Sequence, residues 1–493
     1  MKFLCFFFFF QVSLLALGQE FAVGYIWEER IKAESLINSK DSYTHTGFFP
    51  FIVTKQTYDS LFYSLYGITY INQKHKYWQK SLVQVKDSDF ILHINPLLTF
   101  TFKNDSTKHF AENTRGLLIT GQLSDKFFFV SGATETQAFY PEYIKTYQSK
   151  NLVIPGNGRV RPFKKTGYDF SKAFGHVVYS PTQHWHFMLG HSKQFFGYGY
   201  RSLLLSDAPL EYPVIKTTYT NKRFKYSFSY ASFQSASAFD DRTKVHSRIF
   251  SSMHYLSFFI HRTWQVALFE NTLFQPMSAK NNRPAEEFYI PILFIHSSLY
   301  GFNNTKNVMT AIQSQWSPFK SLSFYGQFVL DDYSKTDSLR KKIAWQYGFK
   351  LSEPLGIKNF WAMVETNRSL PYTYSSSYKY SMFTQHNEPI AHILGNNFVE
   401  YILRLHYSYK ILLTRIEWNK ATYCPTEKRL SVSSTSLLQT IEQIKVESGI
   451  LIHKPSRLQL LIGYRNRTES GTKSLHYWYL SLTTRFFNFY DDF

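Results

Sequence analysis

Between Phe224 and Ala231 every second residue is aromatic: Phe224, Tyr226, Phe228 and Tyr230 alternate with Lys225, Ser227, Ser229 and Ala231. Side chains alternate across a strand, so one face here is wholly apolar and the other polar or small. The pattern recurs along the chain. Tyr401, Leu403, Leu405, Tyr407, Tyr409 and Ile411 oppose Arg404, His406, Ser408 and Lys410. The parity then flips, with Leu412, Thr414, Ile416 and Trp418 opposing Arg415 and Glu417, which marks a bulge or a very tight turn. Many short strands with one apolar, aromatic-rich face predict a transmembrane β-barrel, apolar outside and polar inside.

Further segments fit the same template. Leu322, Phe324, Phe328 and Leu330 oppose Ser321, Ser323, Gln327 and Asp331. Leu458, Leu460, Ile462 and Tyr464 oppose Gln459 and Arg465, and Trp478, Leu480, Leu482 and Phe486 oppose Tyr477, Tyr479, Ser481 and Arg485. Polar stretches at Ser278–Arg283, Ser334–Lys342 and Asn466–Lys473 are expected to be loops. Residues 19–90 look different. Tyr58, Leu61, Phe62, Leu65 and Tyr66 recur at spacings of three and four, one face of a helix and a candidate plug. The expected organisation is therefore a leader over 1–18, a segment with a helical plug candidate over 19–90, and a barrel over 91–493. At about 22 residues per strand with its turn, roughly 400 residues give an even count of about 16–20 strands, with 18 the central value. The fold class is all-β, a closed antiparallel transmembrane barrel.

The first residues support this placement. Lys2, the apolar Phe3–Leu17 and the small-x-small Ala16-Leu17-Gly18 form a signal peptide with cleavage expected near Gly18. No later window offers the 18 or more apolar residues of a spanning helix. Strands need only about 9–11 residues each, which a mean hydropathy of −0.28 does not exclude. Cys5 leaves with the leader, so Cys424 has no intramolecular partner and a disulfide framework is excluded. The net charge is +20, spread among the strands rather than gathered in a patch. Behind a secretion signal this points to lipid head groups, acidic polysaccharide or a cationic lumen, and not to nucleic acid.

Catalytic motifs are absent: there is no GxSxG elbow, HExxH or P-loop. His184 and His186 share a strand face, but no third ligand lies near them in sequence. No enzyme, metal or cofactor is expected. Gly197-Tyr198-Gly199 lacks the context of a dinucleotide fingerprint, and its glycines are expected at a tight turn or a close backbone contact. The chain ends TRFFNFYDDF, an aromatic terminus of the kind that barrel-insertion machinery reads. Phe493 lies on the opposite parity from Trp478, Leu480 and Phe486, which requires a bulge or a strand ending near Phe489.

One string of phrases resembles a known family. GHSKQFFGYGYRSLLLSD at 190–207 resembles the signature of the Wzi-like capsule-assembly barrels of Bacteroidota, a group that includes the gliding-motility protein RemB. NTRG (113–116), FYPEYI (139–144), VIPGNGR (153–159), YGQFVLDD (325–332), PYTY (371–374) and AHILGNNFVE (391–400) match in the same order. The family usually has Pro where Ile393 stands and Ala where Asn396 stands. The resemblance implies a non-catalytic outer-membrane barrel with a helical plug on the periplasmic side. It would hold capsular polysaccharide, exopolysaccharide or a motility adhesin at the surface of a Gram-negative cell, embedded in lipid and lipopolysaccharide. The positions carried over are Gly197, Gly199, Tyr200, Arg201, Ser206, Asp207, Gln327, Asp331, Glu365, Arg368, Gly395, Asn397 and Glu400, expected to be mainly structural. Arg201 with Asp207, and Glu365 with Arg368, are expected as charge pairs in the lumen. The competing expectation is a porin or transporter with a cationic lumen.

Overall fold

The computed structural model describes residues 20–23, 26–39, 44–66, 80–105, 109–240, 245–274, 286–300, 306–331, 342–375, 382–424 and 438–493, with Tyr77 and Pro284. The expected leader over 1–18 and the loop expected at Ser278–Arg283 lie outside these residues, as do residues 334–341 of the second expected loop.

Eighteen antiparallel strands, from Phe90–Asn104 to Leu475–Thr484, close into a barrel. Closure comes from pairing of the last strand with the first, Leu480 opposite Phe102 and Ser481 opposite Thr101. The eighteen-strand ladder itself therefore has no free edge. The connections are asymmetric. At one end the turns are short, as at Lys410–Ile411, where Tyr409 pairs directly with Leu412. At the other end lie long connections such as 140–166, 193–211 and 370–397. By the usual rule for such barrels the short turns are periplasmic and the long loops extracellular.

The faces follow the sequence alternation. Leu189, Ile215, Ile312, Ile462 and Leu480 are exposed on the outer wall. Trp185, Trp264, Trp316 and Tyr407 ring the short-turn end, and Phe102, Tyr401 and Trp478 stand toward the other. The parity flip after Tyr409 is the two-residue turn. The strand Leu458–Glu469 runs into the stretch expected to be a loop at Asn466–Lys473, because Arg467 and Glu469 stay in register with Gln443 and Ile441.

The chain end differs from expectation. The last strand stops at Thr484, and residues 485–493 turn inward. Phe486 is buried, not lipid-facing, with its ring stacked on Phe174. Phe493 ends no strand; it is buried against Tyr147 at 4.8 Å. Charge explains the detour. Asp491 takes a two-pronged bond from Arg465, both distances 2.7 Å, and Asp492 lies 3.0 Å from Arg201. These acids are of little use on a lipid-facing strand and are well paired inside.

Segments of the chain itself pack into the interior. Helix α1 (Trp27–Ser39) bonds to the inward strand face and to the loops packed within it: Glu34 pairs with Lys350, Arg30 with Asp207 at 2.6 Å, and Glu28 with Arg415 at 3.0 Å. Helix α2 (Lys55–Tyr66) buries Tyr58, Leu61, Phe62 and Tyr66 beside Leu97, Leu118 and Phe128, near the short-turn end. Phe48 meets Phe196 and Tyr255 at 5.6 and 5.3 Å, over strands whose inward residues include Ser227, Ser229 and Ala231. The expected polar interior is therefore only half right. Small inward residues leave space that aromatic side chains from the N-terminal segment and the loops fill, making an apolar core inside the barrel.

Candidate functional site in the barrel lumen

The signature loop 193–211 crosses the lumen and is buried almost throughout. It is held by the inward faces of distant strands. Gln327 accepts a bond from the Leu203 N–H at 2.8 Å and donates to the Phe196 carbonyl at 3.0 Å. Glu365 accepts the backbone N–H groups of Tyr200 and Arg201 at 2.8 and 3.1 Å, and the Tyr325 hydroxyl at 2.9 Å. A Cβ at Gly199 would sit 2.2 Å from the Glu365 carboxylate, so a larger residue would displace that carboxylate from its bonds to the loop. Gly197 donates its N–H to the Gly47 carbonyl at 2.9 Å. A Cβ at Gly197 would lie 2.9 Å from the Gln327 amide, so at both glycines a strand side chain comes close to the loop. Gly199→Ala should cost about 1–3 kcal/mol through overpacking. The check is a lower temperature for the loss of heat-modifiable migration on gels.

Arg201 is the centre of the charge network. It donates to Glu400 at 2.9 Å and lies 3.0 Å from Asp492; Glu400 also bonds His392 at 2.8 Å and accepts from Asn367 at 3.2 Å. The tail holds Tyr200 as well, whose hydroxyl donates to Asp492 at 3.1 Å. The pairs expected from sequence are not the ones formed. Asp207 is bonded by Arg30 of α1, by Tyr490 at 2.7 Å and by Asn488 at 2.9 Å. Burial pushes its carboxyl up, but Arg30, Tyr490, Lys193 and Asn488 together hold it below the ordinary value. Glu365 does not meet Arg368, whose guanidinium faces outward over the Trp345 ring at 5.2 Å. Adjacent parity decides this: residues three apart on a strand lie on opposite faces.

The remaining signature residues shape loops. Asp331 accepts the Tyr374 N–H at 2.6 Å, and the Ser206 N–H donates to the Ile390 carbonyl at 2.8 Å. Gly395 at φ 76° and Asn397 at φ 52° take the left-handed region that turns the 391–400 segment into its strand. His184 and His186 bond the Thr220 carbonyl and the Ser180 hydroxyl and form no ligand pair.

Glu388 ties two of these loops together, accepting the N–H groups of Gly156 at 2.7 Å and Leu210 at 3.3 Å. Burial raises its carboxyl to about 7, against the lowering by Gly156, Lys193 and Leu210. A raised carboxyl favours the folded state below its unfolded value near 4.5, and that advantage is lost as pH rises through about 7. Limited proteolysis should therefore cut the 382–397 loop faster at pH 8.5 than at pH 6, and Glu388→Gln should flatten the difference.

Beside this network lies a cavity of about 260 Å³. It runs from mid-barrel, at Leu97 and Thr483, toward the long-loop end at Lys103, Glu112 and Tyr477. Its wall carries Lys103, Lys172, Lys193, Lys445, Arg465 and Arg485 against Glu112, Glu447 and Asp491, with Tyr477, Tyr479 and Phe487 between them. Asp491 belongs to the tail, and the Arg465 guanidinium overcomes the effect of burial to hold its carboxyl at about 2. Lys103 stands 6.0 Å over the Tyr140 and Tyr477 rings, and Lys172 is 3.9 Å from Glu211. An excess of cations beside aromatic faces suits an anionic ring with apolar edges. Sequence reasoning missed this wall because its residues come from six strands, one loop and the tail. The one signal available was the basic inward parity.

No protein-family model and no curated protein sequence matches the chain. Solved structures do. Wzi of Escherichia coli, described as an outer-membrane protein of group 1 capsule assembly and a carbohydrate-binding β-barrel, superposes with a TM-score of 0.59 at 11% identity. The match covers 94% of this chain and 99% of that one. The fold is that of a Wzi-like outer-membrane barrel. The outer-membrane protein OprD of Pseudomonas aeruginosa is also similar, with a TM-score of 0.44 at 10% identity over 84% of this chain and 96% of that one.

Proposed function

We propose that this protein is a non-catalytic Wzi/RemB-type barrel that holds a surface polysaccharide, capsular or exported, at the outside of the cell. The observation that carries the reading is the lumen. The protein's own segments occupy much of it, and among the described residues they leave a cationic, aromatic-lined cavity toward the extracellular end. A pore would need the opposite, a continuous polar path. The preferred ligand class is an acidic polysaccharide, whose repeated carboxylates multiply weak contacts. The seven ordered signature phrases favour the Bacteroidota branch, in which a motility adhesin is the other candidate cargo. Lipid and lipopolysaccharide surround the apolar band, and the leader is removed near Gly18. With Phe493 buried inside, insertion machinery would have to read the last strand, Leu475–Thr484, before the tail docks.

The second reading, a porin for anionic solutes, draws on the same cationic wall. Retention on immobilised polygalacturonate separates the two in part. The display reading expects binding that falls at least tenfold in Lys103→Glu/Lys172→Glu while the barrel still shows heat-modifiable migration. Equal retention of wild type and the double variant would count against it.

A further inference from the structure

A long connection joins the strands Trp264–Phe274 and Asn307–Phe319. Its described part, 286–300, lies on the outside of the wall. Phe288 packs on Tyr230 at 4.8 Å, Phe274 at 5.5 Å and Phe250 at 5.9 Å, all on the outward parity. The Pro291 carbonyl accepts the Tyr226 hydroxyl at 2.9 Å. Beneath this flap the lipid-facing pattern breaks. The cross-strand partners His254 and Glu270 stand where apolar residues belong, each 0% exposed, and His296 of the flap is 0% exposed beside them.

We propose that His254, Glu270 and His296 form a binding site for a zinc-class divalent cation, which pins the flap to the outer wall. One ligand atom from each residue lies within 4.8 Å of the others. The hydrogen bonds fix where the lone pairs are. The His296 Nε2 bonds the Glu287 carbonyl at 2.8 Å, and a carbonyl only accepts, so Nε2 carries the proton. Its Nδ1 is then a bare acceptor, buried and without a partner. The Tyr226 hydroxyl spends its proton on Pro291 and so accepts from His254 Nδ1 at 2.9 Å, which leaves Nε2 as that ring's acceptor; the Ser252 hydroxyl donates to it at 3.2 Å, a bond that a cation would replace. Anchoring the far nitrogen of each imidazole in this way is how metal-ligating histidines are oriented. Glu270 Oε1 accepts both the N–H and the hydroxyl of Ser297, whereas Oε2 accepts only the Phe294 N–H at 2.7 Å and keeps a lone pair. Among the described residues no Lys or Arg pairs with this buried carboxylate. A cation would supply the missing charge.

Two imidazoles and one carboxylate are a donor set for zinc, with a fourth position left for water. Tetrahedral ligands sit roughly 3.3 Å apart at ordinary zinc bond lengths, so the three must draw together by on the order of 1 Å.

The test uses the full mature chain in detergent, without a histidine tag, stripped by a chelator and titrated with zinc alone. The expected result is one tightly held equivalent after desalting, and flap cleavage in limited proteolysis slowed at least fivefold by zinc. His296→Gln changes only the flap and leaves the barrel ladder intact; it should lose both effects. Zinc content equal in wild type and His296→Gln overturns the proposal. So does flap cleavage in the wild type that neither chelator nor zinc alters, a result that needs no variant to fold. The proposal is independent of the polysaccharide reading.

Discussion

Arg201→Met should prevent the barrel from reaching its heat-resistant form. The guanidinium is buried, and burial works against its charge, but Asp492 and Glu400 raise its pKa well above the ordinary value. Removing it strands two carboxylates in a closed lumen, and breaking a buried pair by removing one partner costs about 3–5 kcal/mol. The effect should spread, because Asp492 and Tyr490 anchor the tail and Tyr490 in turn holds Asp207. Gel migration of unboiled protein, together with near-ultraviolet dichroism, reads the outcome. Native behaviour of both would mean that the network contributes little. The double variant Arg201→Met/Glu400→Gln should recover part of the loss, since one uncompensated charge is removed.

Leu405→Arg carries the second large effect. Leu405 lies on the outward face of Phe398–Tyr409, five residues above the two-residue turn, between inward-facing Arg404 and His406. A charge at the lipid midplane of a barrel costs about 2–4 kcal/mol. Leu405→Phe keeps the surface apolar and should assemble normally. Equal assembly of the two would show that the face is not in contact with lipid. His406→Arg is not the neutral control that the inward parity alone suggests. The His406 ring is stacked on Trp361 at 5.0 Å within the packed lumen.

The barrel was legible because lipid and backbone geometry act on every strand alike. A period of two can be read from Phe224–Ala231 or Tyr401–Lys410 without a structure, and one crossing predicts the next. The lumen obeys no such period. Asp207 meets Arg30, and Arg201 meets Asp492, across separations in sequence that no pattern marks. The glycines at 197 and 199 announced a close approach, but not what approaches. Likewise, Phe486 follows the outward parity of Leu480 and Leu482 on paper. The strand ends two residues earlier, so parity ceases to apply. His254 and Glu270 sit in the barrel pattern as two unexplained polar exceptions, and only the flap that covers them gives them a meaning.

The central claim is that the protein occupies its own lumen and binds rather than conducts. Single-channel recording of the purified chain in a planar bilayer tests it most directly. The wild type should be silent. Sustained conductance from the wild type would contradict the account and establish a pore.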